Sequence, residues 1–312
     1  MTFTQLEYVL AVDQFRHFAK AANACYVTQP TLSMQLHKLE KEIGIMIFDR
    51  SKQPVVPTHT GTEFIAYARK IINERNNLTD FLQLHKGVLA GDLKIGVIPT
   101  LAPYLLPLFI PKFTKNNPGI KLIVIELTTD AIIEQLKDGR IDAGILVTPL
   151  NDPGIKEHVL FYEEMMAYIS PKNAAFNKTY ILPQDIDPNK LWLLEEGHCF
   201  RTQIANLCQL RKASQEGSHF QYEAGSLETL RRLVELNDGI TILPELATLE
   251  LTPKQKKLIR RFKSPPPMRE VSIVIHRDHL KKRMIEILKK EITEATPRKT
   301  LNKKNKNIIP VE

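Results

Sequence analysis

The chain has 312 residues, 43% hydrophobic and 25% charged, enough for two or three domains with proper cores. No apolar run approaches the roughly eighteen residues of a membrane span, which excludes a helical membrane anchor from the expected classes. The formal charge of +8 is unevenly placed: Lys and Arg lead Asp and Glu six to five in residues 1–60, trail nineteen to twenty-four in 61–250, and lead eighteen to six in 251–312. The global basic balance is therefore no argument for nucleic acid, and it excludes nothing else.

The opening "MTFTQLEYVLAVDQ" has no basic n-region and carries acids among its apolar residues, so no signal peptide is expected. A cytoplasmic, reducing home follows, where structural disulfides are disfavoured. Leu6, Val9, Leu10 and Val12 predict one short helix and "HFAKAANAC" a second, in which Cys25 reads as core packing. A third is predicted over "VTQPTLSMQLHKLEKEIG": Thr28 or Gln29 precedes Pro30 at the first helical position, and Gly44 is the stop. Leu32, Leu36, Leu39 and Ile43 share an apolar face. Thr31, Met34, His37, Lys38 and Lys41 share the opposite one, with Ser33 at its edge. A short helix before such a helix is a helix-turn-helix candidate, although the pattern alone fits an ordinary amphipathic helix equally well. In the first case its N-terminal turn enters the major groove, where hydroxyls, amides and the Lys38 amine reach bases or phosphates.

"IMIFDRSKQPVVPTHTG" then reads as two short β runs around a polar turn, as in a wing. From Thr60 to about Lys86 a single long helix is predicted, with Phe64, Ala68, Ile71, Leu78 and Leu82 along one stripe and Ile65, Ile72 and Phe81 beside it. A helix of this length between domains pairs with its own copy or packs on its own domain.

After "GVLAGD" the pattern alternates: strands at "LKIGVI", "KLIVIEL", "IDAGILV", "MMAYIS", "LWLLEE", "ITILP" and "VSIVIH", with helices at "DAIIEQLKDGR" and "LETLRRLVELNDG". Such alternation predicts parallel sheets with covering helices, here as two α/β lobes with a crevice between them. Ligands of open α/β sheets bind at strand carboxyl ends, where "VIPT" and "IELTT" fall. The glycines of "GVLAGD" precede a strand and make no phosphate loop. No metal-ligand cluster or Ser-His-Asp arrangement stands out. The Lys/Asn-rich end, "RKTLNKKNKN", reads as a solvated, disordered tail.

The stretch "EEGHCFRTQIANLC" holds two of the three cysteines. Cys199 falls at a predicted helix start near Arg201, and both features lower a thiol pKa. A thiolate reduces peroxide and passes to sulfenic acid, with Cys208 as a possible resolving partner. The plainer reading is two small hydrophobes. In one helix the two thiols lie about 13 Å apart along the axis, while a disulfide needs Cα atoms within about 7 Å. A bond between them therefore requires the segment to refold, which makes a poor staple and a good switch.

The line "LEYVLAVDQFRHFAKAANACYVTQPTLSMQLHKLEKEIGIMIFDR…PTHTG" strongly resembles the N-terminal domain of LysR-type transcriptional regulators. Leu6, Phe18, Ala21, Ala22, Gln29, Pro30, Leu32, Ser33, Leu39, Glu40, Gly44, Phe48, Asp49, Arg50, Thr58 and Gly61 carry it in order. "IPTLAPYLLP", "EEGHC-RxQ…C", "GSLETLR" and "GITILP" narrow the resemblance to that family's hydrogen-peroxide-sensing branch, over residues 1 to about 285.

The resemblance implies a winged helix-turn-helix head (1–59), a linker and dimerisation helix (60–88) and a two-lobed, periplasmic-binding-protein-like α/β effector domain (89–300), then a tail (301–312). Lobe I takes about 89–161 and 268–300, lobe II about 162–267. It implies DNA contacts from Gln29, Pro30, Thr31, Ser33, His37 and Lys38 of the third helix and Arg50 and Lys52 of the wing. Cys199 becomes the peroxidatic thiol and Cys208 its partner, with Thr100, Thr129, His198, Arg201 and Arg269 shaping a peroxide pocket. Thr202 departs from the branch, where an acid is common. By themselves Thr100 and Thr129 read as helix caps or backbone-bonded threonines, and His198 as a capping residue.

The expected partners are double-stranded promoter DNA, further copies of the chain as a dimer of dimers, RNA polymerase and a thiol reductant for reset. No cofactor or metal is expected beyond hydrogen peroxide as the sensed ligand, and no enzymatic activity. Two other readings remain: a LysR-type regulator of an organic effector with incidental cysteines, and a thiol peroxidase, which leaves the head unexplained.

Overall fold

The computed structural model describes residues 1–85, 90–194, 199–208, 225–277, 281–297 and 307–309. It divides into two units, residues 1–89 with 138–140, and residues 90–137 with 141–312.

In the first unit α1 (Phe3–Phe15) opens on a reciprocal cap: Thr2 Oγ1 accepts from the Gln5 N–H at 3.3 Å, and Gln5 Oε1 accepts from the Thr2 N–H at 2.9 Å. Arg16 ends it in the left-handed region, and His17 Nδ1 caps α2 (Phe18–Ala24). Of the two caps the sequence allows for α3 (Gln29–Ile43), Thr28 is used; Gly44, at φ +73°, ends the helix in a conformation that costs glycine nothing. Leu32, Leu36 and Leu39 are fully buried against Tyr8, Val9, Val12, Ala21 and Phe48, while Ile43 and Cys25 pack at the margin of that core.

The wing is the antiparallel pair β1 (Phe48–Asp49) and β2 (Val56–Pro57). α4 (His59–His85) then runs for 27 residues. Its expected stripe splits: Ile65, Ala68 and Ile72 are buried in the head, whereas Tyr67, Ile71, Leu78 and Leu82 form an exposed row on another face.

The second unit begins with β3 (Gly91–Val97), α5 (Ala102–Asn116), β4 (Ile120–Glu126), α6 (Thr129–Lys137) and β5 (Ala143–Thr148). The chain continues through β6 (Ile155–Ile169), α7 (Cys199–Leu207), α8 (Leu227–Leu236), β7 (Ile240–Pro244), α9 (Pro253–Lys256), β8 (Ile259–Arg261), β9 (Pro267–His276), α10 (Lys282–Ala295) and β10 (Asn307–Ile308). The sheet order is β4-β3-β5-β9-β6-β7, with β3 parallel to both neighbours. The parallel pairing expected from strand–helix alternation stops there. β9 is antiparallel to β5 and β6, and beyond Glu164 β6 leaves β9 to pair antiparallel with β7 and β8. The physical reason is the path: β6 carries the chain from lobe I to lobe II and β9 carries it back. This is a two-lobed α/β domain of the periplasmic-binding-protein type, behind a winged helix-turn-helix head and a long helix.

Two further expectations are corrected. "LWLLEE" does not form a strand in its described part; Leu191 makes an isolated bridge to Ile240. The end of the chain is not wholly a solvated tail either, because β10 pairs parallel with the start of β9.

Candidate functional site

On the head, Gln29, Pro30, His37 and Lys38 of α3 are exposed, Thr31 and Ser33 are half-buried, and Lys52 is exposed in the wing turn. Arg50 is committed elsewhere: its Nη2 lies 2.6 Å from Glu40 Oε2, its Nη1 3.5 Å from Ser33 Oγ, and its guanidinium 5.2 Å from the Phe18 ring centroid. The second oxygen of buried Glu40 accepts from the Ile47 N–H at 2.9 Å. Arg50 thus ties the wing to α3, with its charge already compensated, rather than offering an unpaired cation to phosphate. Sequence reasoning missed Tyr26, which sits at φ 57° just before α3 with 96% of its surface exposed. No core role explains that aromatic.

In the second unit β3 and β4 run in register, Val97 beside Glu126, so the chain leaves both at one level. Three residues past each strand end come Thr100 and Thr129, both buried. β6 and β9 set Glu163 directly opposite Arg269, and neither side chain has any exposed surface. Glu163 Oε1 accepts from Arg269 Nε at 2.6 Å and lies 2.6 Å from its Nη2; Glu163 Oε2 accepts from the Leu246 N–H at 3.1 Å. Arg269 donates through Nη1 to Thr100 Oγ1 at 3.0 Å and through Nη2 to the Thr100 carbonyl at 3.2 Å. Its guanidinium also lies 5.1 Å from the Phe200 ring centroid on α7. One arginine therefore joins a lobe I loop, both crossing strands and the cysteine helix.

Cys199 is the first residue of α7, a half-buried free thiol. Burial pushes this thiol above its ordinary range; the Thr129 hydroxyl, the Arg269 guanidinium and the Phe200 N–H oppose the rise, and Asp130 adds to it. The expected lowering by the helix start and Arg201 is therefore corrected: desolvation outweighs the helix's donors, and Arg201 donates instead to the Leu194 carbonyl at 2.7 Å. Thr129 Oγ1 is buried and meets no partner of ordinary hydrogen-bond geometry among the described residues, while its hydroxyl favours the Cys199 thiolate.

Because the thiolate is the nucleophile, oxidation of Cys199 by peroxide should quicken about tenfold per pH unit through neutrality and level off only above the ordinary thiol range. A stopped-flow profile that stays flat between about pH 6 and about pH 8 would contradict this.

Cys208 follows the last turn of α7, its N–H donating to the Ile204 carbonyl at 2.9 Å. It packs against the lobe II core, and burial pushes its thiol up to about 11. Between them runs the continuous helix Cys199–Leu207, and nine residues of helical rise amount to about 13 Å. His198 lies outside the described residues.

Sequence reasoning also missed Glu163, although an acid within "LFYEEMMAYI" was a visible signal. Two motifs do meet: the Tyr104 hydroxyl of "IPTLAPYLLP" donates to Glu228 of "GSLETLR" at 3.1 Å. Among the described residues no group of acids, histidines and cysteines is placed to hold a metal ion, and no helix is long and apolar enough to cross a membrane.

Comparison with known proteins matches residues 3–62 to the bacterial regulatory helix-turn-helix proteins of the lysR family and residues 86–296 to the LysR substrate binding domain. The chain is 36% identical over 275 residues to the "Hydrogen peroxide-inducible genes activator" of Haemophilus influenzae, covering 88% of this chain and 90% of the relative. A full-length OxyR from Pseudomonas aeruginosa carrying a cysteine-to-aspartate change superposes with a TM-score of 0.77 at 33% identity, over 94% of this chain and 98% of that one. A cysteine variant of Corynebacterium glutamicum OxyR, H2O2-bound, gives 0.60 at 25% identity, over 94% and 92%. Sequence, head and effector domain agree: the chain belongs to the LysR family of transcription regulators, in its OxyR branch.

Proposed function

We propose that the chain senses hydrogen peroxide through Cys199 and responds by changing how it holds promoter DNA. The carrying observation is Cys199 at the start of α7, whose next residue, Phe200, packs on the buried Arg269 that also holds Thr100. The names of the relatives, peroxide-inducible activators and a peroxide-bound OxyR, support the same reading.

Thr100 accepts from Arg269, which leaves its own hydroxyl proton to donate to a bound peroxide; Thr129 can donate or accept. The Cys199 thiolate attacks the nearer peroxide oxygen, the O–O bond breaks, and the leaving hydroxide takes a proton to become water. Hydrogen bonds from the threonines stabilise the charge that develops on the departing oxygen. The Cys208 thiolate then attacks the sulfenic sulfur; the S–S bond forms and hydroxide leaves, protonated to water. A thiol reductant returns both sulfurs to thiols.

In this reading α3 enters the major groove, and the exposed Tyr67, Ile71, Leu78 and Leu82 row of α4 pairs two chains, which assemble as a dimer of dimers. The protein works in the cytoplasm with RNA polymerase on antioxidant promoters, without enzymatic turnover.

The test is peroxide titration of Cys199→Ser and Cys208→Ser proteins, with a sulfenic-acid trap and a promoter assay. Cys199→Ser should bind no trap and give no promoter response; Cys208→Ser should bind one trap per chain. A promoter response surviving in both variants overturns the redox reading.

A further inference from the structure

The segment 307–309 is docked against the sensing machinery. Asn307 and Ile308 lie parallel to Pro267 and Met268 of β9. The Ile309 N–H donates to the Met268 carbonyl at 2.9 Å, and the Ile309 carbonyl accepts from Gln203 Nε2 at 2.8 Å. The Ile309 side chain is buried in the lobe II core that also holds Phe200 and Ile204 of α7. Gln203 stands one turn after Cys199 on the same helix, and Met268 immediately precedes Arg269. Three residues from the end of the chain thus bind the cysteine helix to the strand bearing the pocket arginine.

We propose that residues 307–309 form a strap that holds α7 in its reduced, helical form, slows closure of the Cys199–Cys208 disulfide, and releases when that bond forms. The proposal rests on the redox reading above. Closure must bring the two Cα atoms within about 7 Å, so residues 199–208 must unwind. Gln203 lies in the middle of that segment, and its amide cannot stay on the Ile309 carbonyl while the helix around it dissolves. The coupling is reciprocal: whatever favours the docked strap favours the helical form by the same factor.

The anchor is also only half satisfied. Gln203 is completely buried, yet its Oε1 has no hydrogen-bond partner among the described residues. A buried amide oxygen without a donor disfavours the docked state, which keeps the strap releasable.

The two chemical steps should respond differently. Peroxide attack happens at the first residue of α7 and does not require the helix to move; disulfide closure does. The step itself is the one already balanced: the Cys208 sulfur bonds to the Cys199 sulfenic sulfur and water is released.

The experiment compares the full chain with Ile309→Asp and with a chain lacking residues 307–312. Stopped-flow peroxide consumption reads the first step, and acid-quenched alkylation with mass spectrometry reads closure. Sulfenic acid formation should stay within about twofold, while closure accelerates by about fivefold or more in both variants. In the full chain, the Ile309 amide should exchange its hydrogen at least about tenfold faster after oxidation. Equal closure rates in all three proteins, or an Ile309 amide equally protected in both redox states, overturn the strap alone. So does an equal slowing of both steps, which makes the segment a support for Arg269. If the full chain forms sulfenic acid but no Cys199–Cys208 disulfide, the strap fails alone; if Cys199 forms neither, the redox reading fails and the strap with it.

Discussion

Replacing Glu163 by alanine should destabilise the effector domain by about 3–5 kcal/mol, the usual penalty for removing one partner of a buried ion pair. Arg269 has no exposed surface, so its charge has no route to water once the carboxylate is gone. The Leu246 N–H loses its acceptor at the same time. Urea denaturation of the full chain, followed through the effector domain, measures the loss, and an unchanged midpoint contradicts the prediction. A double change, Glu163→Leu with Arg269→Met, separates stability from chemistry. Buried pairs replaced by apolar groups of similar volume are often neutral or stabilising. The double variant should therefore recover most of the stability while Cys199 oxidation stays slow, because Thr100 has lost its donor and Cys199 its nearby cation.

Gly61→Ala should disable the head. A Cβ at this position would overlap the Ile47 carbonyl and crowd Thr58 Oγ1. None of these atoms can yield easily. The Ile47 N–H is held by Glu40 at 2.9 Å and the Ile47 carbonyl by the Thr58 N–H at 3.0 Å; Thr58 Oγ1 accepts from the Gly61 N–H at 2.9 Å and donates to the Met46 carbonyl at 2.7 Å. In an unobstructed helix alanine would gain about 1 kcal/mol over glycine. Overpacking a fixed backbone costs about 1–3 kcal/mol and can cost more, so the clash should win. The expected result is a lower melting temperature for the head and weaker DNA binding, with the rate of Cys199 oxidation unchanged. A variant that binds DNA as tightly as the parent removes the argument.

The head was legible because its signals are local: the spacing of Leu32, Leu36 and Leu39, the cap at Thr28 and the stop at Gly44 each act within one or two turns. The strands of the parallel trio β4-β3-β5 and the helix α6 were legible from their own local patterns, whereas α5, between β3 and β4, was not expected. The crossing of β6 and β9 was not, because antiparallel pairing between distant segments leaves no mark in the periodicity of either. Thr100 and Thr129 emerged only by resemblance, as threonines after strands ordinarily serve the backbone. Glu163 and Arg269 are 106 residues apart, and only the strand register brings them together. The sign of the Cys199 shift was misread because the helix start is a local feature and burial is a tertiary one. At the chain end, polar Lys/Asn-rich composition concealed the two isoleucines that dock.

The Glu163 carboxylate also bears on which molecules the sensor can tell apart. An unpaired arginine in a small buried site would welcome any anion, and carboxylates and phosphates are abundant competitors in metabolism. Arg269 offers them no uncompensated charge, because Glu163 balances it at 2.6 Å. A neutral hydroperoxide needs only hydrogen bonds, which in the proposed site Thr100 and Thr129 would supply. In the proposed function selectivity rests on rejecting charge rather than on fitting shape, and an added carboxylate should be a poor competitor of peroxide even at high concentration.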